Sequence, residues 1–300
     1  MTTKPLESIL FRDLSLAAGE EDIELVSPLL GEVINFSTNV FRRCIDSASG
    51  EENVDLATQM LYLHQIEMAD GVDILVQKSS PNPSSLLLRS MLEANFYMEY
   101  ILESDYVNRS LSWLLFYVKD QLRIAEELDK STDTGKRFLK SKENDIYAKD
   151  MDFSSLESMA LAKKDNLNKL LLKDQFKPII DESSVKKYSH WYSLFGGPSH
   201  FYALSKYLNR EIEYLILYSG WSRISHAVDI SRFLKQLNSN NPLDFPIRNP
   251  SDIRSVTGFA IHYLLISTKM ILSKFRPGES LKNWYLSEVQ ERYKSLWKPK

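Results

Sequence analysis

The sequence predicts an all-α protein, a multi-helix bundle of about nine helices with one apolar helix near residues 84–104 at its centre. Only 10 glycines and 11 prolines occur among 300 residues, so long stretches run without a helix breaker. Apolar residues recur at spacings of three and four, whereas the alternating pattern of half-buried strands is scarce. These observations favour helices through nearly the whole chain.

Five helices are predicted up to residue 173. The third follows SSPNPSS, whose prolines end one helix and suit the start of the next. Residues 129–151 are polar and are predicted to form a solvated connector, with an exposed helical excursion as the alternative. The five helices are predicted over residues 21–47, 54–78, 84–104, 105–128 and 154–173.

Four more helices are predicted in the rest of the chain, separated by glycine and proline. Gly196-Gly197-Pro198 is expected to turn the chain before the first of them, and Arg276-Pro277-Gly278 to close the third. They are predicted over residues 200–218 and 222–237, then from a cap at Ser251 or Asp252 to Arg276, and over residues 281–297.

The predicted domain organisation has three parts. Residues 1–20 form an N-terminal extension, residues 21–237 a helical core, and residues 238–300 a C-terminal helical hairpin packed on that core. The second boundary lies at the start of NSNNPLDFPIRNPSD, a loop with three prolines. A chain of 300 residues is long enough for one large helical domain or two smaller ones.

Composition excludes several classes of protein. The net charge of −3 argues against general electrostatic binding of nucleic acid, but it does not exclude a local basic patch. Cys44 is the only cysteine, so no disulfide or thiolate metal cluster can form within the chain. The N-terminal residues carry charges throughout and do not resemble a signal peptide, and the apolar stretch Phe259–Leu272 is too short and polar to span a membrane. A cytoplasmic protein is therefore predicted.

Arg89 and Glu93 are two of the ionisable residues in the apolar helix near residues 84–104. Arg89 and Glu93 are four residues apart and lie on one helix face, which Tyr97 continues. Arginine precedes glutamate, the less favourable order for an exposed pair, so local helix support explains the pair poorly. A tertiary role is favoured, either as a buried ion pair or as the wall of a pocket. Arg89 and Glu93 are candidate catalytic residues, and Tyr97 is a candidate ligand-binding residue.

A second candidate segment, Tyr188–Tyr202, combines aromatic residues with a Gly-Gly-Pro turn and a histidine. His200 is predicted in the first turn of a helix, where the helix dipole disfavours imidazolium and leaves a neutral side chain able to accept a proton. The structural alternative is a hydrogen bond from His200 to a loop carbonyl or to Tyr188. His200 is the third candidate catalytic residue, and the candidate ligand-binding residues here are Tyr188, Tyr192 and Ser199.

No metal or cofactor is expected. His64 and Glu67 share a helix face, but di-iron bundles use Glu-x-x-His in the reverse order and twice, and no second copy occurs. The sequence carries no Walker loop, serine-hydrolase elbow, HExxH motif, kinase signature or zinc spacing.

The motif L-x-R-S-x-x-E-A at Leu87–Ala94 follows a Pro/Ser loop, and Tyr188–His200 comes about a hundred residues later. This arrangement resembles a family of uncharacterised bacterial all-helical proteins, catalogued as a domain of unknown function, in which an Arg-Ser-x-x-Glu helix and a later histidine recur. The resemblance covers about residues 21–237. It implies an all-α fold with Arg89, Glu93 and His200 at the matching positions, and it supplies no established activity.

A more distant resemblance is to the HEPN ribonucleases, helical dimers common in bacterial defence that use an Arg-x(4–6)-His motif. Arg223 and His226 are too close for that motif, and Arg254 and His262 are too far apart. The ribonuclease activity therefore does not carry over by residue. It would require folding to bring Arg89 to His200.

Two hypotheses of function follow. The favoured one is a helical interaction or ligand-sensing protein, in a bacterial stress or phage-defence system, whose Arg89/Glu93/His200 cluster fixes structure or binds a small ligand. The alternative is a metal-independent hydrolase or ribonuclease, with Glu93 or His200 as general base and Arg89 stabilising developing phosphate charge. A protein partner or a second copy is expected and a membrane is not, while a small-molecule ligand, nucleic acid and enzymatic activity are left open.

Overall fold

A computed structural model describes residues 12–47, 53–185, 188–225 and 248–297 of the chain. The described residues contain eleven helices and no strand, which confirms the predicted all-α multi-helix fold. In the first half of the chain, α1 spans Arg12–Asp46, α2 Leu56–Gln77, α3 Ser84–Glu103, α4 Tyr106–Leu128, α5 Asp133–Asn144, α6 Ser154–Leu171 and α7 Lys177–Val185.

Two of the later helices contain a π-helical turn, in which the backbone hydrogen bonds are one residue longer than in an α-helix. α8 spans Phe201–Tyr207 and α10 spans Ile253–Phe275. α9 joins Glu211–Glu213, a π turn at Tyr214–Tyr218 and Ser219–Ser225. α11 joins Lys282–Trp284, a π turn at Tyr285–Val289 and Gln290–Leu296. Short 3₁₀ turns occur at Asp174–Phe176, Trp191–Gly196 and Pro250–Asp252.

The structure differs from the predicted elements in several places, one of which is α7 at Lys177–Val185, where no helix is predicted. α1 begins at Arg12, so it includes the last residues of the predicted extension 1–20. The stretch 129–151 contains α5, a largely exposed helix whose N-cap Thr132 accepts the Gly135 N–H at 2.9 Å, so the helical alternative is the right one there. The single helix predicted over 200–218 is two helices, α8 and α9. The predicted boundary at 237/238 and most of the helix predicted over 222–237 lie outside the described residues.

Contacts divide the chain into two compact units. The first unit comprises residues 1–51, 58–104 and 204–300, and the second comprises residues 52–57 and 105–203. Arg89 and Glu93 therefore belong to the first unit and His200 to the second.

In the first unit, α10 packs against α1 and α3. A buried hydroxyl network joins three helices: Thr268 of α10 lies 2.9 Å from the Ser37 hydroxyl of α1 and 2.8 Å from the Tyr62 hydroxyl of α2. Tyr62 is fully buried, and burial raises the pKa of its hydroxyl well above the ordinary value. α2 meets α3 through a bond from the Gln65 amide to the Met91 carbonyl at 2.6 Å. Such bonds fix which helix faces meet in an otherwise apolar interior.

The second unit has its own core, built on the apolar face of α4. The 3.6-residue periodicity of α4 places its apolar side chains inward, as the sequence predicts. α6 has no buried residue and lies at the periphery of this unit. The core side chains of the unit are Val54, Leu111, Leu114, Leu115, Val118, Phe176, Ile179 and Leu194.

The helix that includes α10 is the most apolar long helix among the described residues. Over Pro250–Phe275 its length and composition would allow it to cross a membrane, which corrects the expectation that this region is too short and polar. In the most apolar window of this helix, 61% is buried inside the protein, and a core helix passes the same test. The helix is therefore only weak support for membrane association, and the cytoplasmic location stays a prediction.

Candidate functional site

A left-handed turn at Asn209 directs the chain into the site. Asn209 has a φ of +57°, its N–H donates to the Lys206 carbonyl at 3.0 Å, and the Arg210 N–H donates to the Ser205 carbonyl at 2.8 Å. This pair of bonds is the Schellman motif, which ends a helix at a residue in the left-handed conformation. α8 therefore ends, and α9 starts in a new direction with Arg210 at its beginning.

Arg210 is the centre of a polar cluster between α3 and α9. Its guanidinium side chain is 10% exposed, and it donates to Glu99 at 2.8 Å, to both carboxylate oxygens of Glu213 at 2.7 and 2.6 Å, and to the side-chain oxygen of Asn95. The guanidinium also lies 4.5 Å from the centre of the Phe96 ring. Two carboxylates, an amide and an aromatic face thus hold one cation, an arrangement suited to the planar, multi-donor arginine head.

Buried residues of α3 and α10 hold this cluster in place. Asn95 is fully buried, and its amide donates to the Ser267 hydroxyl at 2.9 Å. The hydroxyl of Tyr263, which is also fully buried, donates to Glu213 at 3.0 Å. Burial alone would raise the pKa of Glu213, but the hydrogen bonds and charge of Arg210 and the bond from Tyr263 more than offset burial, so the pKa is lowered. Glu213 is therefore ionised at neutral pH.

The Arg210 cluster forms one wall of a cavity of about 670 Å³. The cavity opens against the outer face of α10, where His262, Ile266, Lys269 and Ser273 follow one another at helical spacing. Its apolar lining comes from Leu102, Ile266 and Met270, and its charged lining from Glu99, Arg210, Glu213, Lys269 and Lys274. Burial lowers the pKa of His262, so its imidazole is neutral at pH 7.

Arg89 holds the other end of the α3–α9 contact. Its Nε lies 3.1 Å from Glu93, its two terminal nitrogens donate to the Ser225 hydroxyl at 2.7 Å and the Tyr218 hydroxyl at 2.8 Å, and its guanidinium lies 4.7 Å from the centre of the Tyr218 ring. Arg89 thus reaches another helix, in line with the expected tertiary role. The pair is only half-buried, with 24% and 30% of the two side chains exposed.

His64 and Ser90 form a contact that the sequence did not indicate. The His64 Nε2 lies 2.7 Å from the Ser90 hydroxyl, and burial lowers the pKa of His64 although Glu67 and Glu93 partly oppose this. Nucleophilic catalysis would also need donors for an oxyanion. Ser90 lies within α3, where backbone N–H groups bond inside the helix. The contact therefore fits an interhelical hydrogen bond better than a catalytic pair.

His200 lies just before α8 and acts as its cap. Its Nδ1 accepts the Ala203 N–H at 3.1 Å, and its ring stacks on Tyr202 at a centroid distance of 6.2 Å. This hydrogen bond differs from both expected partners, a loop carbonyl and Tyr188. A side chain that accepts the third N–H of a helix has a structural role.

The four candidate ligand-binding residues lie in different settings. Tyr97 is a half-buried residue of α3 in the first unit, and Ser199 is an exposed residue of the second unit. The Tyr188 hydroxyl donates to Glu182, which raises the pKa of the tyrosine. Tyr192 is buried against His190 and Trp191. No contact described within either unit gathers these four into one site.

Metal binding has no support in the described parts of the chain. No three side chains of histidine, cysteine, aspartate or glutamate come together there as they would around an ion. Cys44 is buried, and burial raises the pKa of its thiol to about 11, so it is not a ready thiolate ligand.

A model of a family of unknown function, DUF5677, matches residues 55–242. The chain belongs to the DUF5677 family. No curated protein and no solved structure matches it. The DUF5677 match starts later than the predicted range 21–237, and it includes Arg89, Glu93, His200 and Arg210. α10 lies beyond the DUF5677 match, so one wall of the cavity comes from outside the family region. The bacterial source, the Arg-Ser-x-x-Glu motif and the HEPN likeness stay predictions.

Sequence reasoning missed the cavity of this DUF5677 chain for two reasons. Arg210 carries no motif, and only the turn at Asn209 brings it to α3. The sequence does carry a signal for the α10 wall of the cavity. His262, Lys269 and Ser273 interrupt an apolar helix at spacings of seven and four, so they lie on one helix face.

Proposed function

We propose that this chain is a helical ligand-binding protein whose site is the cavity between the Arg210 cluster and α10. The proposal keeps the sensing hypothesis and moves the site from Arg89, Glu93 and His200 to Arg210 and its neighbours. The single observation that carries it is the cavity itself, whose volume of about 670 Å³ lies in the range of small-molecule sites. Such sites combine an apolar lining with a few fixed polar groups, as this cavity does.

The chemistry of the cavity suits binding better than catalysis. Glu213 is held ionised by Arg210 and Tyr263, so its carboxylate is a weak general base. Arg210 already donates to three side chains, which leaves it little capacity to follow charge that develops in a transition state. A saturated network of this kind makes a rigid wall, and a rigid wall favours selective binding because little ordering is needed.

The hydrolase alternative has less support from the contacts. The Arg89 guanidinium is occupied by Glu93, Tyr218 and Ser225, so it is poorly placed to stabilise a phosphate. The Nδ1 of His200 caps α8. An assignment to a stress or phage-defence system stays part of the proposal, and it follows only from the sequence resemblance.

Ligand occupancy would connect three helices. Glu99 belongs to α3, and Arg210 and Glu213 lie at the start of α9. The lining residues between His262 and Ser273 belong to α10. A ligand that contacts all three stabilises one arrangement of these helices over others by its difference in affinity. This coupling is the physical basis on which the protein would act as a sensor.

The proposal is tested by thermal unfolding in the presence of four ligand classes: aliphatic carboxylates, amines, nucleotides and neutral alcohols. Ser273 lines the cavity and is exposed, so Ser273→Trp blocks it, while Ser287→Trp places the same side chain on an exposed position outside it. At least one class is expected to raise the unfolding midpoint of the wild type and of Ser287→Trp, but not of Ser273→Trp. If no class raises the midpoint, or if every rise persists in Ser273→Trp, the proposed site is wrong.

A further inference from the structure

We propose that the ligand of this site is an elongated amphipathic anion, an apolar chain that ends in one carboxylate or a similar anionic group. The inference rests on the proposed function, because the cavity beside Arg210 is one part of the same site. It adds the chemical class of the ligand and the direction in which the ligand extends.

Three cavities adjoin along the outer face of α10. The first, beside Arg210, shares Lys269 and Ser273 with a second of about 400 Å³, and it shares His262, Ile266 and Lys269 with a third of about 230 Å³. The second and third also share Leu281 and Tyr285. Cavities that share lining residues lie side by side, and we call the three together the α10 trench.

The α10 trench is long enough to favour an extended ligand. Its floor follows α10 from His262 to Ser273, a distance of about 16 Å at the rise of an α-helix. One wall is the α3–α9 cluster and the other is α11 with Leu281 just before it, and α11 contributes Tyr285 and Tyr293. Tyr285 begins a π-helical turn, a feature that is frequent at functional sites.

The lining of the trench is largely apolar along its length. Each of the three cavities has aliphatic side chains in its lining, so an alkyl chain bound along the floor would be removed from contact with water. These side chains are Leu102, Leu265, Ile266, Met270, Leu272 and Leu281.

Charge selects an anion for the head group. Lys269 is exposed and lines all three cavities, so it can reach a head group in any of them. The three trench carboxylates are balanced as a group by three arginines: Arg210 contacts both Glu99 and Glu213, while Arg43, at 2.8 Å, and Arg276 contact Glu279.

The lining lysines add positive charge beyond that compensation. Lys269 and Lys282 both line the trench, although the chain as a whole has a net charge of −3. A local surplus of cations on an acidic protein favours an anionic ligand and disfavours a cationic one.

The test compares ligands that share a tail and differ in the head group. Binding of dodecanoate, dodecyltrimethylammonium and octanoate to the full chain is measured by isothermal titration calorimetry. Dodecanoate is expected to bind with a stoichiometry of one and at least tenfold more tightly than octanoate, because each buried methylene adds to affinity. Dodecyltrimethylammonium is expected to bind at least tenfold more weakly than dodecanoate.

Variants then locate the head group. Lys269→Glu is expected to weaken dodecanoate binding at least tenfold and Lys269→Gln about fivefold. Both substitutions remove the attraction between the lysine and the anionic head group, and glutamate adds repulsion. Lys163→Glu, an exposed charge reversal in the second unit, is the matched control and should leave binding unchanged.

Two outcomes in which a ligand binds would overturn the inference. One is binding of dodecanoate that Lys269→Glu does not weaken. The other is binding of the ammonium compound at least as tightly as dodecanoate. In the second outcome, loss of ammonium binding in Ser273→Trp would still support the proposed function, so the two proposals fail separately. Absence of any binding by dodecanoate also overturns the inference, while the four-class unfolding experiment independently decides the proposed function.

Discussion

Two arginines hold the contact between α3 and α9 from opposite ends. Arg89 projects from α3 to Tyr218 and Ser225 of α9, and Arg210 projects from the start of α9 to Asn95 and Glu99 of α3. Each guanidinium also lies over an aromatic ring. They differ in burial: the Arg89 side chain is 24% exposed and that of Arg210 is 10% exposed. The more buried arginine is the one beside the cavity.

Removal of Arg210 is expected to destabilise the protein more than removal of any surface cation. Arg210→Ala leaves Glu213 and the fully buried Asn95 without their main donor, and a broken buried pair costs about 3 kcal/mol of unfolding free energy. Urea unfolding of both proteins measures the difference. Lys294→Ala, which removes an exposed pair with Glu291, is the control and should cost less than about 0.5 kcal/mol. Equal losses for the two variants would contradict this role of Arg210.

Arg89 and Tyr218 are expected to be energetically coupled. A double-mutant cycle with Arg89→Ala, Tyr218→Phe and the double variant should give a coupling energy of about 1–2 kcal/mol, because a hydrogen bond to a charged group is lost together with part of the ring contact. Chemical denaturation of the four proteins measures it. A coupling energy near zero would show that the two side chains act independently.

At the scale of the element, one residue decides where α8 ends and α9 begins. Asn209 adopts the left-handed conformation at the position after the helix, where asparagine and glycine are tolerated. The sequence offers this signal in KYLNRE, yet helical periodicity on both sides favours one continuous helix. Local backbone conformation prevails over periodicity here, and the cavity depends on that result.

Substitution of Asn209 is expected to follow backbone preference. Asn209→Ala should lower the free energy of unfolding by about 1 kcal/mol, because alanine disfavours a positive φ. Asn209→Gly should be neutral or slightly stabilising, since glycine adopts this conformation without strain. Thermal unfolding of the three proteins gives the comparison, and a loss in the glycine variant as large as that in the alanine variant would contradict the conformational explanation.

The contact between α10 and α11 depends on a missing side chain. A Cβ atom at Gly258 would overlap the indole of Trp297, so glycine permits the last turn of α11 to approach α10. Gly258→Ala is expected to cost about 1–3 kcal/mol of unfolding free energy through overpacking, measured by denaturant unfolding. Trp297→Leu in the same chain should recover much of that loss. If the double variant is no more stable than Gly258→Ala, the indole is not the obstacle.

At the scale of the whole molecule, stability is expected to fall as the solution becomes acidic. Burial lowers the pKa values of His64, His190 and His262 below the ordinary 6.5, so the unfolded chain binds protons that the folded chain does not. The corresponding stability is complete above pH 6.5 and is lost as the pH falls towards the lowered values. Glu213, whose pKa is lowered from 4.5, contributes stability that is lost only at still lower pH.

The measurement is urea unfolding at pH 7.5 and at pH 5.5 for the wild type and His64→Gln. Glutamine can still bond to Ser90 but does not titrate, so the variant should lose less stability between the two pH values. The surroundings of His64 include Glu67 and Glu93, which oppose the shift without reversing it. If His64→Gln loses as much free energy of unfolding between the two pH values as the wild type does, His64 does not contribute to the pH dependence.

The sequence by itself determined the fold class and much of the helix pattern. Sparse glycine and proline, with apolar residues at helical spacing, predicted an all-α chain. Apolar residues on nearly every face of α3 predicted a buried helix, and eleven of its twenty residues are buried. The reversed order of Arg89 and Glu93 predicted a tertiary partner for Arg89, and α9 supplies it. These properties are readable because secondary structure and burial follow local periodicity.

Only the tertiary structure decided where the candidate site lies. Arg210 meets Asn95 and Glu99, more than a hundred residues away in the chain, after a turn that one asparagine determines. His262 and Lys269 show in the sequence only that α10 has a polar face, whereas the walls opposite that face come from α3, α9 and α11. A cavity is a property of surfaces that meet across the fold, so periodicity along one helix can indicate one of its sides but not the space between them.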